Sequence, residues 1–364
     1  MMMSKKKIFL VVSCALVSYG ANAQVLGTLP PYVEGKASYS KDSDKFYTNN
    51  FVIGASHESG FGFQIGKANY WGQVVKGSSD LFQGTYVEVQ DDYEIKAAFG
   101  IRNTSHFTNL TKLGNDLANT IISANPSFTP SDIAEIRANA SQWANENIIA
   151  SGGNSNGSKQ NVAAEIEVRL TLTDSLNVGV SASTDIVASE KGLQNGITYT
   201  SVSGDVDLQL SEHLGVTFVA ADTMFSDDNN RILFASKANY VVFPEYGIST
   251  FYRVKAQWNS NPATGNYFSP DHLFENAFGV SFRKNFEGLV YTASIDYGFQ
   301  NYTMNGNANS TPIYTYQAGF QTQPGKRNGN SFGVNVISSN NNSINSTSSG
   351  YHWYGLSSWI KVPF

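Results

Sequence analysis

Hydrophobic and polar residues alternate at the end of the chain. Every second position there can face an apolar phase, and Ser358 is the one gap in this row. Alternation with a period of two predicts a β-strand. A strand that closes on a terminal aromatic residue is typical of a barrel in a bacterial outer membrane, because only a closed sheet satisfies every backbone polar group in lipid. The apolar positions are Tyr354, Leu356, Ile360, Val362 and Phe364.

The same period-two pattern recurs along the chain. Its cleanest example covers residues 162–172, where one face is apolar and the other carries Glu165, Glu167 and Arg169. One such segment would also fit a half-buried strand of a soluble sheet, but its repetition at short spacing predicts a barrel. The predicted strands lie near residues 32–40, 50–57, 60–68, 81–90, 93–102, 162–172, 175–188, 197–210, 213–224, 231–243, 247–259, 273–283, 288–300, 312–322, 330–338 and 351–364.

The connections between these segments give an independent prediction of the strand number. Tight turns follow even-numbered segments, and the long connections follow odd-numbered ones. This parity requires an even number of strands and places the C-terminus at the periplasmic rim. We predict an all-β fold, a closed antiparallel transmembrane β-barrel of 14–16 strands, with sixteen as the best count. Fourteen stays open because the segments at 81–90 and 330–338 alternate least clearly.

One connection, residues 104–160, is much longer than the others. Apolar residues at near-helical spacing follow a capping signal at Ser131 and Asp132, and a second short helix is predicted over residues 110–122. A Gly/Asn/Ser stretch at residues 151–159 is typical of a flexible connector. We expect a partly helical extracellular loop that covers or folds into the outer mouth of the barrel. The alternative is a surface decoration without a role in transport.

The start of the chain has the parts of a cleaved secretory signal. Lysines at residues 5–7 precede an apolar stretch that is too short to span a bilayer, and Ala21-Asn-Ala23 fits a cleavage site. The single cysteine, Cys14, leaves with the signal, so the barrel has no disulfide to stabilise it. The predicted divisions of the chain are a signal peptide at 1–23, an N-terminal leader at 24–31 and a barrel at 32–364 that includes the 104–160 loop.

Charge and hydropathy restrict the cellular location and the classes of partner that the sequence allows. The formal net charge is −5, and this mildly acidic balance argues against nucleic acid as a partner. Because no helical span follows the signal, an inner-membrane transporter is excluded. We therefore expect a multi-pass protein of the outer membrane of a Gram-negative bacterium. It would be surrounded by outer-membrane lipid and inserted by the barrel-assembly machinery through Phe364.

The inward faces of the predicted strands carry charges of both signs, with Ser, Thr, Asn and Gln between them. Such a lining makes a wet lumen whose hydrogen-bonding groups replace the hydration shell of a polar solute. Because acidic and basic residues nearly balance, selectivity for phosphate or oligouronate is disfavoured, and neutral saccharides remain. The alternative is that paired charges only stiffen a water-filled barrel. The predicted channel-lining residues are Glu34, Lys36, Glu94, Lys96, Arg102, Glu165, Glu167, Arg169, Arg231, Lys237, Arg253, Lys255, Glu275, Arg283 and Asp296.

Aromatic residues near the mouths of the barrel are candidates for stacking on sugar rings. Most aromatic residues of a membrane barrel belong instead to the two interfacial girdles, and this alternative stays open for each candidate. The sugar-stacking candidates are Tyr70, Trp71, Trp143 and Phe251.

Two short segments carry other chemistry. His57-Glu-Ser59 resembles the His and Ser pair of outer-membrane phospholipases, but the parity places it at a periplasmic turn, whereas those enzymes act near the outer rim. The acidic segment 226–230 offers oxygen ligands of the kind that calcium prefers, although such a segment is usually a solvated loop. No histidine stands at a metal-ligand spacing. We expect neither an enzyme nor a bound metal or cofactor.

A single-chain barrel of this size, with a short leader at residues 24–31 and a lumen of low charge, resembles the monomeric saccharide porins. It is most similar to the cyclodextrin porin of enteric bacteria. The resemblance implies passive diffusion of cyclic or linear malto-oligosaccharides, a leader that dips into the pore, and a monomer rather than a trimer. A general porin for small solutes is a further alternative.

A second resemblance is local. Phe225-Ser-Asp-Asp-Asn-Asn-Arg231, followed by Tyr267-Phe-Ser-Pro270, is similar to a pattern in the C-terminal barrels of exopolysaccharide exporters of the cellulose and poly-glucosamine type. This resemblance implies export of an exopolysaccharide or another surface product. Both resemblances imply that a sugar polymer moves through the barrel.

Overall fold

The structure is a computed structural model of the chain. It describes residues 31–43, 45–150, 155–322, 329–341 and 351–364. The predicted signal peptide and all of the leader except Pro31 lie outside these residues.

Sixteen antiparallel strands close into one barrel, in which each strand pairs with its neighbours in sequence. The last strand pairs with the first, with Pro363 opposite Tyr32 and Trp353 opposite Asp42. The predicted fold class is confirmed, and sixteen is the strand number. The strands are β1 Tyr32–Asp42, β2 Tyr47–Ser56, β3 Phe61–Trp71, β4 Val75–Val89, β5 Tyr93–Thr108, β6 Asn156–Thr173, β7 Leu176–Ile186, β8 Thr198–Gln209, β9 Leu214–Phe225, β10 Asn230–Phe243, β11 Ile248–Asn259, β12 His272–Phe286, β13 Leu289–Met304, β14 Asn307–Thr322, β15 Ser331–Ser339 and β16 Trp353–Pro363.

Each strand alternates between an outer face and a face toward the lumen. In β6, Val162 and Ile166 are exposed on the outer face, and Arg169 lies on the opposite face. Arg169 contacts Asp205 of β8 across the intervening β7, and such contacts form where side chains converge, on the concave side of a curved sheet. Residues that pair directly on neighbouring strands lie on the same face of the sheet. The strand register therefore identifies the inward residues of the whole barrel.

The outer face carries the large apolar side chains. Phe63, Phe99 and Tyr297 are each more than half exposed, at 57%, 70% and 57%. A soluble protein rarely presents so much apolar surface, whereas a membrane barrel must present it to lipid. The alternation seen in the sequence is therefore an alternation between lipid and lumen.

Short turns join the strands at the periplasmic end. The turn between β12 and β13 has two residues, Glu287 and Gly288, with φ angles of 50° and 85°. Both lie in the left-handed region that a two-residue hairpin of the primed type requires. The turn between β13 and β14, Asn305 and Gly306, has the same form at the opposite end. Connections after odd-numbered strands can thus be short as well as long, and the tight turns after even-numbered strands agree with the parity prediction.

The longest connection holds two helices, α1 Leu110–Ala124 and α2 Pro130–Ala150. Both predicted helices are present, and α2 continues beyond the predicted run. The flanking strands extend further than expected, since β5 ends at Thr108 and β6 begins at Asn156. Four residues of the predicted flexible connector, 156–159, therefore belong to β6, because backbone pairing with β5 continues above the membrane. Residues 151–154 of that connector lie outside the described part of the chain.

The α1–α2 hairpin forms a small core of its own. Ala118, Ile136 and Ala140 are buried against one another, and Trp143 packs on this cluster. At the start of α2, Thr129 and Asp132 exchange hydrogen bonds as in a capping box, which lowers the pKa of the Asp132 carboxyl. Within the described residues, neither helix makes an extensive contact with a strand. No helix in those residues has the length and apolar character needed to cross a membrane.

Candidate functional site

The predicted channel-lining side chains all occupy inward positions of their strands, as the register shows. Their role in conduction stays a prediction. Glu34 and Lys36 lie on β1. The ion-paired residues among the others form two groups on the wall from β5 to β13, and the two groups link different strands.

The first charged group joins β5, β6 and β8. The Arg169 guanidinium lies 2.6 Å from an Asp207 carboxylate oxygen and 3.0 Å from an Asp205 oxygen. The Asp205 carboxylate lies over Gly179 of β7, where a Cβ atom would lie 2.3 Å from its Oδ1 atom. The position therefore has to be glycine for this bridge to form. Lys96 lies 2.9 Å from Glu94 and 3.7 Å from Glu167 at the same depth.

A further bridge in this part of the wall involves a residue that the sequence analysis did not single out. Arg102 of β5 binds Asp185 of β7 through two parallel hydrogen bonds of 2.7 and 2.8 Å. Bidentate pairs of this kind fix orientation as well as charge. The alternation in the predicted strand at 175–188 places Asp185 inward, so its exposure to the lumen could be predicted from the sequence. Its pairing with Arg102 could not.

The second charged group joins β11, β12 and β13. Arg253 lies 3.0 Å from Asp296 and 3.5 Å from Glu275, and Lys255 lies 3.1 Å from the same Glu275. Glu275 is only 1% exposed, so its charge is balanced by two cations at close range. The charges on this wall are therefore largely compensated where they stand.

The opposite wall, from β14 through β16 and β1 to β4, is polar but mostly uncharged. Its amide side chains form hydrogen bonds to one another, such as Gln64 to Gln83 at 2.6 Å and Gln317 to Asn335 at 3.1 Å. Charges are concentrated near its periplasmic end, where Lys36 lies 3.1 Å from Glu34. The uncharged inward residues are Ser38, Ser40, Asn50, Gln64, Gln83, Thr315, Gln317, Asn335 and Ser357. The lumen thus has a charged wall and a neutral wall.

Two connections fold into the outer mouth: residues 187–197 between β7 and β8, and residues 260–271 between β11 and β12. We call them together the inner collar. The first contains a short helix, α3 Glu190–Gln194. Leu193 of α3 is buried against Tyr70, an inward residue of β3, and the Glu190 carboxylate accepts hydrogen bonds from the backbone N–H groups of Val74 and Val75 at 2.5 and 2.7 Å. This connection therefore reaches from β7 to β3 on the inside of the barrel.

The second part of the collar is anchored by a buried arginine. Arg231 of β10 lies over the rings of Phe225 and Tyr267, with its Cζ atom 5.1 and 5.5 Å from their centroids. Its Nη2 donates to the Phe268 carbonyl oxygen at 2.5 Å, and its Nε donates to Asn259 at 3.1 Å. The collar thereby holds one of the predicted lining residues away from solvent.

Tyr267 completes this anchor. Its ring stacks on Phe225 with centroids 4.3 Å apart, and its hydroxyl donates to Asp227 at 2.9 Å. Burial raises the pKa of this hydroxyl, so it stays a proton donor throughout the physiological range. Residues 225–231 and 267–270, the two segments that resemble exopolysaccharide exporters, thus contact each other and form one packed unit. Asp227 is engaged there by Tyr267 and by Asn266, whose amide donates to it at 2.8 Å.

The two parts of the collar bind each other. The Ser189 hydroxyl donates to the Asn266 carbonyl oxygen at 2.6 Å, and the Asn195 amide donates to the Asn266 side chain at 2.7 Å. A cavity of about 290 Å³ remains between α3 and the inner faces of β5 and β6. We expected the 104–160 loop to supply the inward fold, but the segments that line the mouth are these two other connections. They lack periodic sequence signals, and their packing depends on side chains distant in sequence.

The four sugar-stacking candidates have different surroundings. Tyr70 is buried under α3, and Phe251 is buried under Lys237, whose Nζ lies 4.0 Å from the ring centroid. Trp71 lies on the outer face of β3, and Trp143 belongs to the core of the helical hairpin. Neither tryptophan faces the lumen, because Trp71 has the wrong parity in its strand and Trp143 is held by Ile136 and its neighbours.

The segments with other chemistry give no catalytic or metal arrangement in the described residues. His57 Nδ1 lies 3.0 Å from Ser59 Oγ in the exposed turn between β2 and β3, at the periplasmic end. Nothing in that turn orients the histidine as a base for an attack on a lipid. Across the part of the chain that the structure describes, no group of three or more His, Cys, Asp or Glu side chains is placed to hold a metal.

The fold defines a class of protein, the closed antiparallel β-barrels of the kind found in bacterial outer membranes. No protein-family model matches the sequence, and a search of curated protein sequences gives no match either. Among solved structures, a bacterial polysaccharide outer membrane secretin is similar with 11% identity and a TM-score of 0.57, over 93% of this chain and 100% of that one. Pseudomonas aeruginosa OccK5 matches with 9% identity and a TM-score of 0.39, over 93% and 99% of the two chains. The likeness to the secretin shows the fold alone.

Proposed function

We propose that the protein is an outer-membrane channel through which neutral oligosaccharides diffuse passively, with malto-oligosaccharides and cyclodextrins as the solutes to test first. One observation carries this proposal: the lumen charges are paired along one wall, opposite a wall that is lined mostly by uncharged Ser, Thr, Asn and Gln. The remaining expectations for this barrel, a monomer without a cofactor, belong to the same proposal.

The pairing of the charges decides between solute classes. A strongly basic lining attracts phosphates and uronates, whereas compensated ion pairs give only a weak field along the pore axis. The neutral wall offers donors and acceptors that replace the water around sugar hydroxyls. A neutral, hydroxyl-rich solute is therefore the one that this lumen fits best.

The experiment is swelling of liposomes that contain the purified barrel, in isosmotic solutions of single sugars. Maltose, maltotriose and maltohexaose should permeate at rates that fall gradually with size, and an oligogalacturonate of equal length should enter much more slowly. Liposomes without protein are the control. Equal rates for neutral and anionic sugars, or swelling only with monosaccharides, would argue for a general porin instead.

Export of an exopolysaccharide is the second candidate function. The observation in its favour is the fold likeness to the secretin barrel along that barrel's whole length, together with the packed unit of residues 225–231 and 267–270. A channel for export would need the inner collar to open. Sugar flux that appears only after the collar has been loosened would favour export over free diffusion.

A further inference from the structure

Two tryptophans of the last strand face the lumen, in addition to the four sugar-stacking candidates discussed above. Trp353 and Trp359 lie on the inward side of β16, since Trp359 pairs with Gly333 and Lys36 while Ile360 and Val362 face out. Trp359 is the third inward residue from the periplasmic end of the strand, after Pro363 and Lys361. The terminal alternation that places Ser358 outward already predicts this orientation.

The indole of Trp359 lies along the barrel wall. A Cβ atom on Gly333 of β15 would lie 2.5 Å from the indole Nε1 and 2.9 Å from Cε2. The side chain therefore reaches sideways over the neighbouring strand at a position where any larger residue would displace it. Trp359 is half-buried at an inward position of β16, so part of its ring is accessible from the lumen. Trp353 has a similar posture over Gly355, where a Cβ atom would lie 2.9 Å from its ring.

Hydrogen-bonding side chains surround this ring. Ser357 and Asn335 lie one inward position further into the barrel, and Gln321 lies next to Gly333 on β14. Lys36 is its direct partner on β1. A flat apolar surface with a few convergent polar groups is the usual composition of a small-molecule subsite. A pyranose ring has the matching chemistry, because its C–H face is apolar and its rim carries hydroxyl groups.

We infer that Trp359, seated on Gly333 at the periplasmic end of the neutral wall, is a stacking subsite for a pyranose unit of the solute. This inference rests on the proposed function and adds to it a place where the sugar binds. Because the subsite lies near the periplasmic mouth, it engages a sugar that leaves the lumen toward the periplasm, or one that enters from there.

The test measures how long maltohexaose blocks single channels in a planar bilayer. Trp359→Ala should shorten the blocking time about three- to tenfold, in the range of a lost aromatic contact, while the open-channel ion current persists. Trp359→Phe should lie between this variant and the wild type. Trp71→Ala, on the outer face, is the matched control and should block like the wild type.

A second variant tests the glycine position next to the indole rather than the indole itself. Gly333→Ala keeps the indole but forces it to move, so it should shorten the blocking time as well. Gly84→Ala is its control, because a Cβ atom there meets nothing closer than 3.9 Å. Blocking times equal to the wild type in Trp359→Ala and Gly333→Ala would overturn the subsite and leave the proposed function standing. A wild-type channel that conducts ions but is blocked by no oligosaccharide would overturn both.

Discussion

At the scale of single residues, glycines decide how the charged wall is built. Gly179 gives the Arg169 bridge its path across β7, and Gly279 of β12 accommodates Phe251, whose ring atom Cζ would lie 2.3 Å from an added Cβ. In both places, an inward side chain of a neighbouring strand occupies the space that a side chain at the glycine position would fill. Such close approach explains why glycine stands in the middle of these strands, where it otherwise weakens a sheet.

The bridge over Gly179 leads to a stability prediction. Gly179→Ala should push the Asp205 carboxylate away from the Arg169 guanidinium and lower stability by about 1–3 kcal/mol, as overpacking usually does. Gly204→Ala on the outer face of β8 is the control, since a Cβ atom there finds its nearest neighbour at 3.7 Å. The measurement is the temperature at which the barrel loses its folded mobility in detergent gels. Equal midpoints for the two variants would contradict the packing described for Gly179.

The lipid and lumen faces of β6 can be compared at adjacent positions. Val168 pairs with outward Ile95 and Val180, whereas Glu167 pairs with Lys96 on the inside. Val168→Arg should fail to assemble, because an arginine facing lipid near the midplane costs about 2–4 kcal/mol. Glu167→Gln and Arg253→Gln should assemble normally and change ion selectivity. Recovery of Val168→Arg in the outer membrane at the level of Glu167→Gln would mean that the faces are assigned the wrong way round.

At the scale of elements, strands and loops differ in how far the sequence predicts them. The strands follow from alternation, because lipid and lumen impose opposite chemistry on successive side chains. Even the weakly alternating segments at 81–90 and 330–338 are parts of strands, β4 and β15. The inner collar could not be predicted, since Phe225 meets Tyr267 and Glu190 meets Val75 only after the barrel has closed. The ion pairs could not be predicted from the sequence for the same reason.

The collar gives a prediction about the open channel. Glu190→Ala removes the acceptor for the N–H groups of Val74 and Val75, so α3 should loosen from β3 and β4 and the single-channel conductance should rise. Glu135→Ala, on an exposed position of α2, is the control and should conduct like the wild type. If the conductance of Glu190→Ala equals that of the wild type and of Glu135→Ala, α3 does not limit the pore.

At the scale of the whole molecule, closure of the barrel depends on the pairing of β1 with β16. Phe364 follows β16 with its side chain 75% exposed, and its backbone N–H donates to the Pro31 carbonyl oxygen at 3.0 Å. An exposed terminal aromatic is free to be recognised during insertion. The residue therefore contributes little to the packing of the finished barrel, and we expect it to act during insertion into the membrane.

Deletion of Phe364 tests this role. The variant should be secreted normally but should insert poorly, because the strand keeps its pairing with β1 while its terminal aromatic is lost. The measurement is the amount of heat-modifiable barrel in outer-membrane fractions. Replacement of Phe364 by Tyr, which keeps the ring, is the control. Wild-type amounts after deletion would contradict the assignment.

The central property proposed for this barrel is that a lumen with paired charges and a mostly neutral wall passes neutral sugars. The most direct measurement records single channels in a planar bilayer with a salt gradient, first alone and then with maltohexaose or an oligogalacturonate of equal length. We predict a reversal potential close to zero, brief blocking by maltohexaose, and little blocking by the charged sugar. A strongly shifted reversal potential with blocking by the oligogalacturonate alone would contradict the claim.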